Sequence, residues 1–135
     1  MNYYLRNMLR YWKETLTIIL QFVFRRTEGW SEITALELLD RLNSSNPPLV
    51  IDIRSDRDFD KGHVSIAKRI PIPELESNLE DLQSFKSKDI VTICPGGGLS
   101  LVAADILAEA GFKHARSLRG GMDEWYQSGY PTITS

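Results

Sequence analysis

Between residues 49 and 129, short runs rich in β-branched apolar residues alternate with segments of helical apolar spacing. Leu49–Ile53, Ala67–Ile72, Asp89–Ile93 and Lys113–Leu118 read as strands. Glu74–Phe85 carries Leu75, Leu79, Leu82 and Phe85 at helical spacing, and residues 100–110 form a second helix that ends at Gly111. Gly120-Gly121 opens a short third helix through Trp125 and Tyr126, ended by Gly129. Strands that alternate with helices predict a mostly parallel sheet covered on both faces. In such sheets the ligand site lies at the carboxyl ends of the strands.

One residue with reactive chemistry is placed there. Cys94 follows the strand Asp89–Ile93 and opens the run Cys94, Pro95, Gly96, Gly97, Gly98, Leu99, Ser100, which leads into the next helix. The strand anchors the sulfur. Glycines let successive backbone N–H groups turn inward, and the helix start adds unpaired donors and partial positive charge. This arrangement favours an anion, and the thiolate is the reactive form of cysteine. A lone cysteine at a strand end is also commonly a small buried apolar residue; the glycine loop tips the reading towards reactivity.

Cys94 is the only cysteine, so an internal disulfide and a cysteine-cluster metal site are excluded. The two histidines, His63 and His114, are far apart in sequence and give no ligand spacing. No metal or other cofactor is expected, and a reducing, cytoplasmic setting is the default.

The net charge of −2 conceals an asymmetry. Residues 1–26 carry five basic side chains against one acidic, a net +4, whereas the other residues carry 11 basic and 17 acidic, a net −6. An acidic body excludes nucleic acid as a partner. The basic head is a separate feature. Leu5, Met8, Leu9, Trp12, Leu16, Ile19, Leu20 and Val23 follow helical spacing, which predicts an amphipathic helix. Its longest mostly apolar piece, Leu16–Phe24, falls short of the ~20 residues that cross a bilayer. Arg25 and Arg26 stand where a signal-peptide cleavage site would need small residues. Three roles stay open: lying on the inner face of an anionic membrane, packing on its own body or a second copy, or binding another protein. The expected organisation is an extension over residues 1–30 and a domain over residues 31–135. Thr34 to Glu37 has the capping-box pattern of a helix start, and Asn43–Pro48 is a loop by composition.

Several motifs, in order, then converge on one family. Asp52-Ile53-Arg54, Phe59, Gly62-His63-Val64, Ala67 and Ile70-Pro71 resemble the D-x-R…F…G-H-I…A…I-P signature of single-domain rhodaneses. Cys94-x-x-Gly97-x-x-Ser100 resembles their active-site loop, and Leu118-x-Gly120-Gly121, Trp125 and Gly129-Tyr130-Pro131 resemble their closing segment. The resemblance runs from about Ile33 to Pro131 and leaves the first 30 residues without a counterpart. It implies a three-layer α/β/α fold around a mostly parallel sheet, with the N-terminal amphipathic helix added. It also implies sulfur transfer in two steps: Cys94 takes a sulfane sulfur from a small donor as a persulfide, and a thiol-type acceptor or cyanide removes it.

Two positions depart from the family pattern. Leu99 stands where Arg or Thr is expected to hold an anionic donor, and Pro95 removes a backbone N–H from the loop. Both argue against thiosulfate as the donor, and leave the amides of Gly96–Gly98 as the main anion-binding groups. Arg119, just before Gly120-Gly121, is a candidate for the missing charge. Asp52 with Arg54 reads as a structural charge pair, His63 as a hydrogen-bonding residue of its turn, and Trp125 and Tyr126 as core. Two rival classes remain. A phosphatase or arsenate reductase needs an Arg closing the cysteine loop, which Leu99 and Ser100 do not supply. A binding or regulatory module would keep the fold with weak or no catalysis.

Overall fold

The computed structural model describes residues 3–27 and 31–135. The chain divides into two compact units, and the boundary expected at residue 30 lies outside the described residues. The first unit contains one helix, α1 (Tyr3–Thr27), which agrees with the apolar spacing. No helix among the described residues is long and apolar enough to cross a membrane.

The second unit is a three-layer α/β/α fold. Its strands are β1 (Glu32–Ile33), β2 (Leu49–Asp52), β3 (Lys68–Arg69), β4 (Ile90–Ile93) and β5 (Ala115–Leu118). They form one sheet in the order β1-β5-β4-β2-β3, and every pair is parallel. The helices are α2 (Ala35–Leu42), α3 (Asp56–Lys61), α4 (Ile72–Asn78), α5 (Leu99–Glu109) and α6 (Gly121–Gln127). Helices α2 and α6 pack together, as do α4 and α5.

Side chains alternate across a strand, so each strand feeds two cores. In β4, Ile90 joins one apolar cluster, and Val91 and Ile93 join the other. The first cluster includes Leu75 of α4 and Ala103 and Leu107 of α5, together with Cys94; the second includes Leu38 of α2 and Met122 and Trp125 of α6. The same alternation puts Thr92 and Cys94 on the α5 side. Ser117 of β5 is in register with Thr92, two residues after Ala115, and shares that side.

The predicted strands and helices are present with changed limits. The run Ala67–Ile72 contributes only the two residues of β3, because a turn closed by Ala67 N–H to the Val64 carbonyl precedes it and Pro71 and Pro73 follow. The helix expected over Glu74–Phe85 starts earlier, at Ile72 with Pro71 as its cap, and stops at Asn78. There Ser77 Oγ and Asn78 Nδ2 both donate to the Glu74 carbonyl, offering the backbone a competitor to the helix. Turns and a 3-10 segment, Gln83–Phe85, complete the stretch. Helix α3 has no apolar periodicity and was not predicted. It is held by its ends: Ser55 Oγ accepts from Asp58 N–H at 3.2 Å, and Asp56 and Asp58 lie in the first turn. Thr34 caps α2 as its sequence pattern predicts, accepting from Glu37 N–H at 3.1 Å.

Candidate active site

Cys94 leaves the carboxyl end of β4, the central strand, and is 1% exposed. The loop after it turns back through Gly97, whose φ of +88° favours glycine. A Cβ there would stand 2.8 Å from Gly120 N and 3.1 Å from the Leu118 carbonyl oxygen. The turn aims the Gly97 N–H at the sulfur, with N···Sγ 3.0 Å. Gly96 and Gly98 face open space. Of the three glycine amides expected to bind an anion, that of Gly97 is the one that reaches Sγ.

The loop is held from below by α6. The amides at a helix start have no partner within the helix. Here Met122 N–H donates to the Cys94 carbonyl at 3.0 Å, and Asp123 N–H to the Pro95 carbonyl at 2.9 Å. The paired glycines at the start of α6 permit this approach, with φ of +75° at Gly120 and +59° at Gly121.

The sulfur's other polar neighbour is Ser100 Oγ, at 3.2 Å. Ser100 is fully buried in the first turn of α5, and its Oγ lies 2.7 Å from Ser117 Oγ. Ser117 Oγ also approaches the Gly97 carbonyl, at 3.5 Å. Thr92 Oγ1 donates to the Ser100 carbonyl at 2.7 Å. The sequence reading did not single out Thr92 or Ser117. Their signal was polar residues inside strands, on the side shared with Cys94.

Leu99 opens α5 but points outward, 57% exposed, and Pro95 is exposed too. Arg119 does not fill the place that Leu99 leaves. Its guanidinium pairs with Glu32 of β1 at 3.6 Å and is largely exposed. Beside Pro95 is a cleft of about 240 Å³ bounded by Arg54, Lys61, Pro95, Asp123 and Tyr126.

Asp52, the last residue of β2, and Arg54, just after it, form a buried pair. Arg54 Nε and Nη2 grip the carboxylate at 2.8–3.1 Å. Nη2 also donates to the Gly62 carbonyl at 2.9 Å, and Nη1 to Tyr126 Oη at 3.0 Å. Burial pulls the Arg54 pKa down, but the hydrogen bonds to Asp52 and Tyr126 outweigh it, and the net shift is upward. Arg54 therefore ties β2, the Gly62 turn and α6 together. Tyr126 corrects the core expectation: it is 43% exposed and works through its hydroxyl, which donates to the Gly62 carbonyl. Trp125 is fully buried. His63 stacks on Phe59 at 3.6 Å between ring centroids, and its Nδ1 lies 2.7 Å from the Phe59 carbonyl oxygen. Asp52, Arg54 and His63 thus brace the loops around the site, and none contacts the sulfur. Among the described residues no group of three His, Cys, Asp or Glu side chains is arranged to hold a metal.

The chain is similar to known proteins in sequence and in fold. An Allochromatium vinosum protein described as a sulfurtransferase is 27% identical over 103 residues, covering 76% of this chain and 94% of that protein. Thiosulfate sulfurtransferase 18 of Arabidopsis thaliana is 31% identical over 96 residues, covering 62% of this chain and 71% of that one. Other relatives are longer, and the chain spans only 21% to 43% of their length. The crystal structure of a rhodanese-related protein from Thermoplasma volcanium superposes with a TM-score of 0.70 at 25% identity, covering 78% of this chain and all of that one. Residues 34–128 match the family model described as the rhodanese-like domain, and the chain belongs to that family.

Proposed function

We propose that the protein is a sulfurtransferase that carries sulfane sulfur on Cys94. The observation that carries this reading is the Cys94 sulfur at a strand end, accepting the Gly97 N–H at 3.0 Å with the Ser100 hydroxyl at 3.2 Å. These groups suit a sulfur anion. In the first step the Cys94 thiolate attacks the outer sulfur of a donor. The bond between that sulfur and the donor breaks, and the donor remainder leaves with the electron pair. In the second step a thiolate or cyanide attacks the outer sulfur of the Cys94 persulfide, and Cys94 leaves as thiolate. No external oxidant or reductant is needed.

The loop suits a small sulfur anion better than a bulky oxyanion. The Leu99 side chain donates no hydrogen bond, Pro95 lacks an N–H, and Arg119 is engaged by Glu32. A hydropersulfide donor fits these groups better than thiosulfate. The test is mass spectrometry of the intact protein after exposure to a panel of donors, with Cys94→Ser as control. Addition of one sulfur atom to the wild type alone supports the reading. No adduct with any donor favours a binding module that has kept the fold.

Helix α1 supports a second reading, association with an anionic membrane surface. Met8, Leu9, Trp12, Leu16, Ile18, Ile19 and Leu20 are 50–66% exposed, and Arg6, Arg10 and Lys13 share the helix. On a helical projection these cations lie along one edge of the apolar arc, beside Leu9, Leu16 and Leu20 and away from Met8 and Ile19, so that the apolar face is flanked by basic charge as in a helix lying in a bilayer interface. Co-sedimentation with anionic but not zwitterionic vesicles, lost on removal of residues 1–26, is the expected result. Equal partitioning of both chains rejects this role.

A further inference from the structure

Each serine hydroxyl in the site has one proton to donate, and the chain Cys94 Sγ, Ser100 Oγ, Ser117 Oγ, Gly97 O can be ordered in two ways. With a thiol at Cys94, S–H donates to Ser100, Ser100 to Ser117, and Ser117 to the Gly97 carbonyl. With an anionic sulfur the order reverses: Ser117 donates to Ser100, and Ser100 donates to the sulfur. The spacings of 3.2, 2.7 and 3.5 Å accommodate both orders without moving a heavy atom. All three side chains are buried, at 1% exposure or less. Ser117 is also fixed by the sheet. It pairs in register with Thr92 of β4 on one side and Glu32 of β1 on the other, and its N–H donates to the Ser31 carbonyl at 3.0 Å.

We propose that Ser117 is a positioning residue that sets the Ser100 hydroxyl as a donor to the sulfur anion, both on resting Cys94 and on the Cys94 thiolate that leaves in the second step. The second half of this statement rests on the persulfide reading; the first half does not. Ser117 donates to Ser100 Oγ and so polarises the Ser100 hydroxyl towards the sulfur; without Ser117, Ser100 keeps the sulfur as its partner but loses that donor, and its hydrogen bond to the anion weakens.

The test therefore has two arms. In the first, alkylation of Cys94 by iodoacetamide at neutral pH is timed in the folded full chain. Ser117→Ala is expected to slow it about threefold, because the Ser100 donor to the sulfur is weakened and not removed. Ser100→Ala is expected to slow it at least as much, and the double variant no more than Ser100→Ala alone. Additive losses, or an unchanged rate in Ser117→Ala, overturn the proposal. The pair Ser117→Thr and Ser117→Val, alike in shape, guards against a packing effect: Thr is expected to keep a faster rate than Val, and equal rates overturn it. In the second arm, with a hydropersulfide donor, Ser117→Ala is expected to lower kcat several-fold with the acceptor KM unchanged. A rise in KM at constant kcat overturns the second half. If wild type acquires no sulfur, the persulfide reading fails while the alkylation arm still decides the role of Ser117.

Discussion

Gly121 lies directly against the Cys94 carbonyl oxygen: a Cβ on Gly121 would overlap that oxygen and stand 2.5 Å from the Pro95 carbonyl oxygen. The start of α6 can therefore approach the cysteine loop only through a residue without a side chain. Gly121→Ala must both move that loop and hold a φ of +59° with a side chain. The expected loss is about 2–4 kcal/mol, combining left-handed strain with a clash against backbone. Urea unfolding measures it. Gly96→Ala, facing open space in the same loop, is expected to stay within about 0.5 kcal/mol of wild type. Equal losses at the two positions would refute this account of the loop.

The outward Leu99 gives a gain-of-function prediction. Leu99→Arg places a donor at the mouth of the loop, on an exposed side chain that contributes little to packing. A hydrogen bond to a charged group contributes about 1.5–3 kcal/mol, so kcat/KM with thiosulfate is expected to rise about ten- to a hundredfold. A guanidinium at a helix start works against the helix dipole, at a stability cost of about 0.3–1 kcal/mol. Steady-state kinetics with thiosulfate and cyanide check the gain. No rise in a folded variant would show that Leu99 is not what limits thiosulfate.

The Asp52–Arg54 pair separates a buried charge from a half-exposed hydroxyl. Asp52→Ala leaves the Arg54 guanidinium buried without its counter-ion, and removing one partner of such a pair costs about 3–5 kcal/mol. Tyr126→Phe removes one of several Arg54 partners near the surface and is expected to cost about 1 kcal/mol. Chemical denaturation of the two variants gives the comparison. Because the Arg54 pKa is raised on folding, its contribution is present below the ordinary guanidinium value and is lost only as pH rises above it, so the difference between Asp52→Ala and wild type holds through neutral pH on the Arg54 side.

The parallel sheet, and the candidate site placed at its carboxyl edge, were legible because apolar strands and their glycine punctuation are local signals. Cys94, the glycine run and the Asp52–Arg54 pair were read for the same reason. Helix α3 was hidden because capping, rather than an apolar face, forms it. Arg119 and Tyr126 were misplaced because a side chain's direction depends on neighbouring elements: Glu32 of β1 draws one outward, and Arg54 draws the other's hydroxyl. Ser117 is 23 residues from Cys94 in sequence, and only the pairing of β4 with β5 brings it to the sulfur's side.

Thr92 and Ser117 are neighbours in register, yet they hold different parts of Ser100. Thr92 Oγ1 donates to its carbonyl at 2.7 Å, whereas Ser117 Oγ meets its hydroxyl at the same distance. Thr92→Val keeps the shape and removes a second donor from that carbonyl, which sits in the first turn of α5 and keeps its bond within the helix. The cost is expected to be about 0.5–1.5 kcal/mol, the net contribution of one hydrogen bond. Since the bond fixes backbone and touches no proton that reaches the sulfur, the Cys94 alkylation rate is expected to stay within about twofold of wild type while the urea midpoint falls. A variant of unchanged stability, or one whose alkylation slows as Ser117→Ala is expected to, would show that the strand hydroxyls do not divide the work in this way.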